Sequence, residues 1–404
     1  MGLSMAAELS TTQIALLEAI KASLFGTKPN YPADTDWTEV VKEAKAQTVL
    51  GIISTVIPAK DVSVEMGKAI YMRFLFEQDK LIKLLDANDI PCVILKGYAA
   101  AQYYPKPHLR AMGDVDFLVS HDKFYEAAKV LEDNGYKYEH GKDESGNRPE
   151  YVRHFSYSKN GIEFELHHHF SSPGYCIDDI LEKAINNREY RDLDGYKIPV
   201  LPYIENGLVF LGHINHHLKF GDLGLRQIID WEMYFQSELN NVKWNDLFAP
   251  VAEKVGFEKL AINITRMCNK FLGLPATVDF GNRSNEDVSD ILLDMLFENG
   301  NFGVKTRGTS QMKNGGVVSF GIYNIKKNGF FSYFQDMGLR TWSLCRKYPI
   351  LRNFAWIYGI CRAIVGGTAS IIKYGNVKDQ ICEGKEKYDL FEKLGIEASS
   401  KTLQ

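Results

Sequence analysis

The chain has 404 residues, 45% of them hydrophobic, with 47 basic against 51 acidic side chains and a net charge of −4. That length exceeds one typical domain and the composition supplies ample core, while the near-neutral balance names no partner. Six scattered cysteines with no CxxC pair exclude a zinc ribbon and a redox dithiol and fit a reducing cytosol; no basic-then-apolar leader opens the chain, so a cytoplasmic protein is expected.

Residues 11–90 read as helices, and the stretches 37–57 and 62–88 are long and free of internal proline. Ile70, Phe74, Leu81 and Leu85 share one face of the second. Asn88 to Pro91 is a stop signal, followed by a short strand at 92–95. Gly97 turns the chain into a helix over 98–104, which Pro105 and Pro107 end. A second strand is expected over 114–119, an amphipathic helix over 123–134, and a short strand over 136–139. Residues 151–158 and 162–170 alternate around Asn160-Gly161, the signature of a hairpin. These elements follow a β-α-β-α-β-β order and feed one sheet.

From Asp178 onward the pattern is helical, apart from a short strand near 197–201. A helix face at Ile204, Leu208, Leu211 and Leu218 is interrupted at Gly221 and Gly224 and resumes over 225–235. A further helix is expected over 284–299, a polar glycine-rich loop over 300–316, and two aromatic-rich helices over 328–373. The most apolar run, 354–372, contains Arg362 and Gly366-Gly367, and reads as a buried or interfacial helix; no transmembrane segment is expected.

The chemistry concentrates in Asp114-Val115-Asp116. Two carboxylates one residue apart in an apolar run point to the same side of a strand. Burying such a pair is costly unless a cation sits between them, so it is a candidate metal site, with a solvated strand end as the bland alternative. Phe164-Glu165-Leu166 offers a third carboxylate on a neighbouring strand, one that can hold an ion or accept a proton. Alternation puts Glu163, Glu165, His167 and His169 on one face, so Glu163 competes with Glu165. Histidines also cluster at His213, His216 and His217. They allow a transition-metal hydrolase or polar packing around a cleft, and no HExxH signature decides for the former. Arg226 and Asp230 lie one helical turn apart and could pair. Residues 301–373 carry 11 basic side chains against one acid, interleaved with aromatics. That asymmetry suggests an acidic partner or an anionic surface for the C-terminal third, or two helices with basic residues in water.

Leu95-Lys96-Gly97, then Arg110 and Gly113-Asp114-Val115-Asp116-Phe117-Leu118-Val119, then Phe164-Glu165-Leu166-His167 resemble the DNA polymerase β-like nucleotidyltransferase superfamily. Within it the chain is similar to the uncharacterised nucleotidyltransferases, over roughly residues 60–240. The resemblance implies an α+β fold: a small mixed β-sheet nucleotidyltransferase core at 91–202, flanked by an N-terminal helical segment at 1–90 and a larger C-terminal helical region at 203–404 for substrate or partner. It implies transfer of a nucleoside monophosphate from a nucleoside triphosphate such as ATP to a small-molecule, sugar or protein acceptor. It implies Mg²⁺ as cofactor, as two ions, with Mn²⁺ as a substitute. Asp114, Asp116 and Glu165 take the catalytic and metal positions; Lys96, Gly97, Arg110 and Gly113 address the nucleotide; His167, Arg226 and Asp230 support substrate. Tyr98 stands where the superfamily carries a small residue, so Lys96, Gly97 and Arg110 become the expected phosphate contacts, and a catalytically inactive binding protein is the alternative.

Overall fold

A computed structural model describes residues 8–58, 64–139, 154–170, 177–220, 222–281, 283, 287–305, 325, 329–342, 344–374 and 388–396. Its first helix, α1 (Thr11–Phe25), opens on a capping box between Ser10 and Gln13. Helix α2 (Trp37–Ala46) starts on an Asp36 cap. The single helix expected over 37–57 breaks at Thr48, whose φ is +57°, and α3 (Leu50–Ile53) follows separately. The break has a purpose. The buried Gln47 amide donates to the Leu296 carbonyl at 2.8 Å and accepts from the Leu225 backbone N–H at 3.1 Å. One side chain thus accepts the otherwise unpaired first-turn N–H of Leu225 and adds a second donor to the Leu296 carbonyl, which the Gly300 N–H also reaches at 3.0 Å.

Helix α4 (Val64–Asp86) leads to β1 (Cys92–Leu95), α5 (Gly97–Ala101), β2 (Val115–Val119), α6 (Phe124–Asp133), β3 (Lys137–Tyr138), β4 (His154–Lys159) and β5 (Ile162–His167). Phe74, Leu81 and Leu85 are buried on one face of α4 as expected, joined by Tyr71 and Leu75, whereas Ile70 is 42% exposed. The five strands make one mixed sheet in the order β1-β2-β5-β4-β3, in which only the β2–β5 pair is parallel. Between β4 and β5, Asn160 and Gly161 both take positive φ, +53° and +69°, as the two-residue turn requires. After α7 (Ile177–Ala184), β6 (Glu189–Leu193) and β7 (Tyr196–Val200) form a second hairpin. The expected strand near 197–201 corresponds to β7; β6 escaped notice because it is mostly polar, although Asp194-Gly195 turns with positive φ at both residues.

The sheet separates two cores. On one face, Ile94, Val115, Phe117, Phe164 and Leu166 pack with α4 and α6. On the other, Val93, Leu95 and Leu118 join α1–α3 and the helical half: α8 (Tyr203–Phe220), α9 (Leu225–Glu238), α10 (Ala249–Lys254), α11 (Glu258–Met267) and α12 (Ser289–Asn299). The segment 1–90 is therefore divided between the two cores. Helix α12 begins at Ser289, with the Asp287 carboxylate accepting the Ser289 N–H at 2.9 Å; residues 284–286 of the expected helix and 306–316 of the expected loop lie outside the described residues. Towards the C-terminus, helices Phe330–Thr341 and Ala355–Tyr374 pack on each other, leaving Phe331, Phe354 and Ile357 exposed rather than in a core. Among the described residues no helix is long and apolar enough to cross a membrane.

Glu232 of α9 is fully buried, and neither carboxylate oxygen makes a well-formed hydrogen bond, the nearby Leu274 amide being poorly placed. Burial raises its pKa well above the ordinary 4.5, and the Leu274 amide offsets only part of that. The folded pKa thus exceeds the unfolded one, so folding opposes ionisation increasingly as pH climbs past the unfolded value. Urea unfolding of wild type and Glu232→Gln between pH 4 and 8 checks this. The wild type should lose stability relative to the variant by about 1.4 kcal/mol per pH unit until its folded pKa is reached. A pH-independent difference rules the buried neutral acid out.

Candidate active site

Residues of β1, β2 and β5 meet in one row. Leu95 pairs with Asp116, and Asp116 pairs in turn with Glu165. Strand alternation sends Val115, Phe117, Phe164 and Leu166 into the α4–α6 core, so Asp114, Asp116, Glu165 and His167 face the helical half. Glu163 shares that face but is exposed beside the hairpin turn, so Glu165 is the acid that joins the cluster. Carboxylate oxygens of Asp114, Asp116 and Glu165 lie within 4.8 Å of one another.

Each carboxylate has a distinct electrostatic setting. Asp116 is 2% exposed, and a single oxygen, Oδ1, takes Lys96 Nζ at 2.6 Å and His167 Nε2 at 3.0 Å. His167 Nε2 is also 3.3 Å from Glu165 Oε2. Burial pushes Glu165 up, but His167, Lys96 and His154 together hold it at about 2. The negative charge of Asp116 and burial raise Asp114, against the pull of Lys96, Arg226 and Arg110. Burial pulls His167 down, yet its hydrogen bonds to Asp116 and Glu165 outweigh this and its pKa is raised.

A cavity of about 220 Å³ lies over these groups. Its sheet side is Lys96, Gly97, Gly113, Asp114, Asp116, His154, Glu165 and His167; its helical side is Gly212, His213, His216 and His217 of α8, Arg226 of α9, and Phe302. The corner between β1 and α5 runs through Lys96 and Gly97, both with positive φ, +48° and +34°. Arg226 is 8% exposed, its guanidinium sits 5.2 Å from the Phe302 ring centre, and its Nε has no hydrogen-bond partner. Burial and the neighbouring Arg110 lower its pKa. Across α8, Asp222 Oδ1 meets His217 Nδ1 at 2.9 Å, and His217 Nε2 meets His213 Nε2 at 2.8 Å. Burial and His217 push His213 well below its ordinary value, so that imidazole is neutral.

Several expected roles shift. Arg226 and Asp230 do not pair. Asp230 instead accepts Arg110 Nε at 2.7 Å, Arg110 Nη2 at 2.6 Å and the Tyr104 hydroxyl at 2.7 Å. Arg110, expected as a triphosphate contact, touches the cavity but commits its fork to this buried clamp, which ties the approach to β2 onto α9. Of these two arginines, Arg226 is the one that keeps an unpartnered Nε. Tyr98 is 2% exposed on the α4 side of the sheet, where its hydroxyl donates to the Tyr71 carbonyl; it does not line the cavity. His154, Phe170, Gly212 and Phe302 were not singled out by sequence reasoning. For His154 a signal existed: counting back from the two-residue turn pairs Lys159 with Ile162 and His154 with His167. Two further groups, His121-His168-His169 and His154-Glu165-His167, also bring possible ligand atoms within 4.8 Å, whereas among the described residues the α8 histidines form no such group.

A mixed sheet that presents three converging acids beside a glycine corner is the arrangement of a nucleotidyltransferase. Residues 33–273 match the model of the uncharacterised nucleotidyltransferase family, and the chain belongs to that family. The solution structure of the antibiotic-resistance factor ANT(2'')-Ia is similar at 13% identity and a TM-score of 0.32, over 49% of this chain and 96% of that one. A crystal structure of ANT(2'')-Ia with adenylyl-2''-tobramycin is similar at 14% identity and a TM-score of 0.31, over 48% and 98%. An antigenic nucleotidyltransferase-like protein from Paracoccidioides brasiliensis is similar at 12% identity and a TM-score of 0.29, over 53% and 94%. No curated protein matches the chain in sequence.

The two arginines should separate in stability measurements. Arg110→Met strands a buried Asp230 and should cost about 3–5 kcal/mol in urea unfolding. Arg226→Met removes a buried cation that has an unpaired donor, and should leave stability unchanged or raised. Equal losses from both would contradict the division.

Proposed function

We propose that this protein transfers a nucleoside monophosphate from a nucleoside triphosphate, ATP being the first donor to test, to an acceptor hydroxyl. The observation that carries the reading is the cluster of Asp114, Asp116 and Glu165 oxygens set against the buried cations Lys96 and Arg226. An all-oxygen donor set from carboxylates suits Mg²⁺, or Mn²⁺ in its place, better than zinc. Bound there, the ion would supply Lewis-acid polarisation of the reacting phosphate.

The side chains divide the remaining work. Asp114, Asp116 and Glu165 hold the ion. Glu165, kept near 2, stays ionised across any working pH, which suits ion holding better than proton uptake. Arg226, with its guanidinium over the Phe302 ring and lining the cavity, presents its charge to a phosphate oxygen. The backbone at Gly97 and Gly113 leaves room for close approach of the triphosphate. A cavity of about 220 Å³ is smaller than pockets that enclose whole ligands. It accommodates the phosphates and the attacking hydroxyl, with the base towards the mouth. The acceptor oxygen forms its bond to the α-phosphorus as the bond from that phosphorus to the bridging oxygen breaks. Pyrophosphate leaves, and the hydroxyl proton passes to Asp114, whose carboxyl pKa the neighbouring Asp116 charge and burial raise. The α8 histidines face the acids across the cavity and form the acceptor side. With Tyr98 turned into the core, its bulk gives no support to the inactive alternative.

Two measurements test the proposal. Transfer of label from α-³²P nucleoside triphosphates should fall by roughly three orders of magnitude or more in Asp114→Ala/Asp116→Ala, the loss of several kcal/mol of charge stabilisation; undiminished transfer ends the reading. Arg226→Ala should raise KM for the triphosphate by about ten- to a hundredfold, the worth of one charge-assisted hydrogen bond. An unchanged KM removes Arg226 from the phosphate site.

A further inference from the structure

Lys96 occupies a position that the expectation of two ions leaves no room for. Its ammonium is 2.6 Å from Asp116 Oδ1, its side chain is only 14% exposed, and Asp114 and Glu165 act on the same charge. The Asp116 oxygen that it contacts also receives His167, so both lone-pair directions of that oxygen are engaged. The backbone holds the residue there. Among the described residues six non-glycines take positive φ, and two of them, Lys96 and Phe302, line the cavity. At φ +48° and ψ −134°, Lys96 sits in a region that L-residues rarely adopt, a strain of the kind that persists where surrounding structure fixes a functional group. Lys96 thus stands against the carboxylate row, in contact with Asp116, before any ion binds.

We propose that Lys96 takes the place of a second metal ion: the site binds one divalent cation with the nucleotide, and the Lys96 ammonium supplies the other positive charge at the carboxylates. This deepens the nucleotidyltransferase reading and rests on it. Lys96 is then an ion substitute at the acids rather than a clamp on the outer phosphates. Its ammonium donates hydrogen bonds to Asp116 and to the oxygens gathered at the α-phosphorus. An ammonium is a compact point charge with three donors, so it can neutralise the pair without the fixed octahedral shell that a second Mg²⁺ demands.

The test uses the full chain with the non-cleavable α,β-methylene analogues of the four common nucleoside triphosphates and Mn²⁺ as the probe ion. Bound Mn²⁺ is counted by electron paramagnetic resonance, which also distinguishes an isolated ion from a spin-coupled pair. The expected result is one Mn²⁺ per wild-type complex with an uncoupled spectrum, and two coupled ions in Lys96→Met, the second binding at least tenfold more weakly. Lys96→Gln serves as a second charge-free variant if Lys96→Met fails to fold. Two coupled ions in the wild type overturn the inference and leave the nucleotidyltransferase reading standing. One ion in both wild type and variant also overturns it, because the charge of Lys96 would not be what excludes the second. If no analogue binds with Mn²⁺ to the wild type, the nucleotidyltransferase reading itself fails.

Discussion

Asp116 has to be buried and ionised at once, and much of the site follows from meeting that demand. A carboxylate at 2% exposure next to Asp114 is unfavourable unless cations and donors converge on it. Lys96 arrives from the end of β1 and His167 from β5, the two strands that flank β2. The sheet order puts the acid between its two partners, and the register Leu95–Asp116–Glu165 sets the third carboxylate beside it. An edge position for β2 would have left Asp116 with one neighbouring strand and half of this support.

Part of the contact around the helical half runs through buried polar side chains that pair across it. Arg110 and Tyr104 converge on Asp230, and Gln47 joins α2 to the ends of α9 and α12. These side chains fix α9 against the approach to β2 and against α2, on the side of the sheet where the cavity lies over the charged row. Arg226 is left over from this bonding. Its neighbour Arg110 is satisfied, and one turn of α9 separates it from an Asp230 that is already occupied.

The central row was legible in the sequence because period-two alternation and a two-residue turn are local rules. Asp114, Asp116, Glu165 and His167 share a face by counting, and the apolar residues between them declare which face is core. The helix packing was less legible, because it depends on contacts between residues far apart in the chain. Nothing near Thr48 announces a helix break; the cause is the Gln47 amide reaching Leu225 and Leu296, well over a hundred residues away. The same limit misdirected the pairing of Asp230. One helical turn to Arg226 is a local geometry, whereas the partner it found, Arg110, comes from another part of the fold. The small hairpin β6–β7 is a different case, since Asp194-Gly195 carried a local signal that the polar strand before it obscured.

Tyr98 shows how a departure from a motif can be absorbed. A small residue after the glycine matters only if its side chain points at the ligand. Here the short helix α5 turns the Tyr98 ring away from the cavity and onto Tyr71, with ring centres 5.2 Å apart, and the hydroxyl finds a backbone carbonyl. The wall of the cavity beside Asp114 and Asp116 is therefore the backbone at Gly97 together with the cations Lys96 and Arg226. Lys96 comes from the same corner and Arg226 from the opposite wall, so the positive charge that a conventional loop would gather in one segment is divided between the sheet and the helical half. Under the proposed function, that division makes the distance between the two halves matter for the phosphates. Any variant that loosens the Arg110–Asp230 clamp should weaken phosphate binding by moving Arg226 away from the acids, without touching a phosphate contact itself.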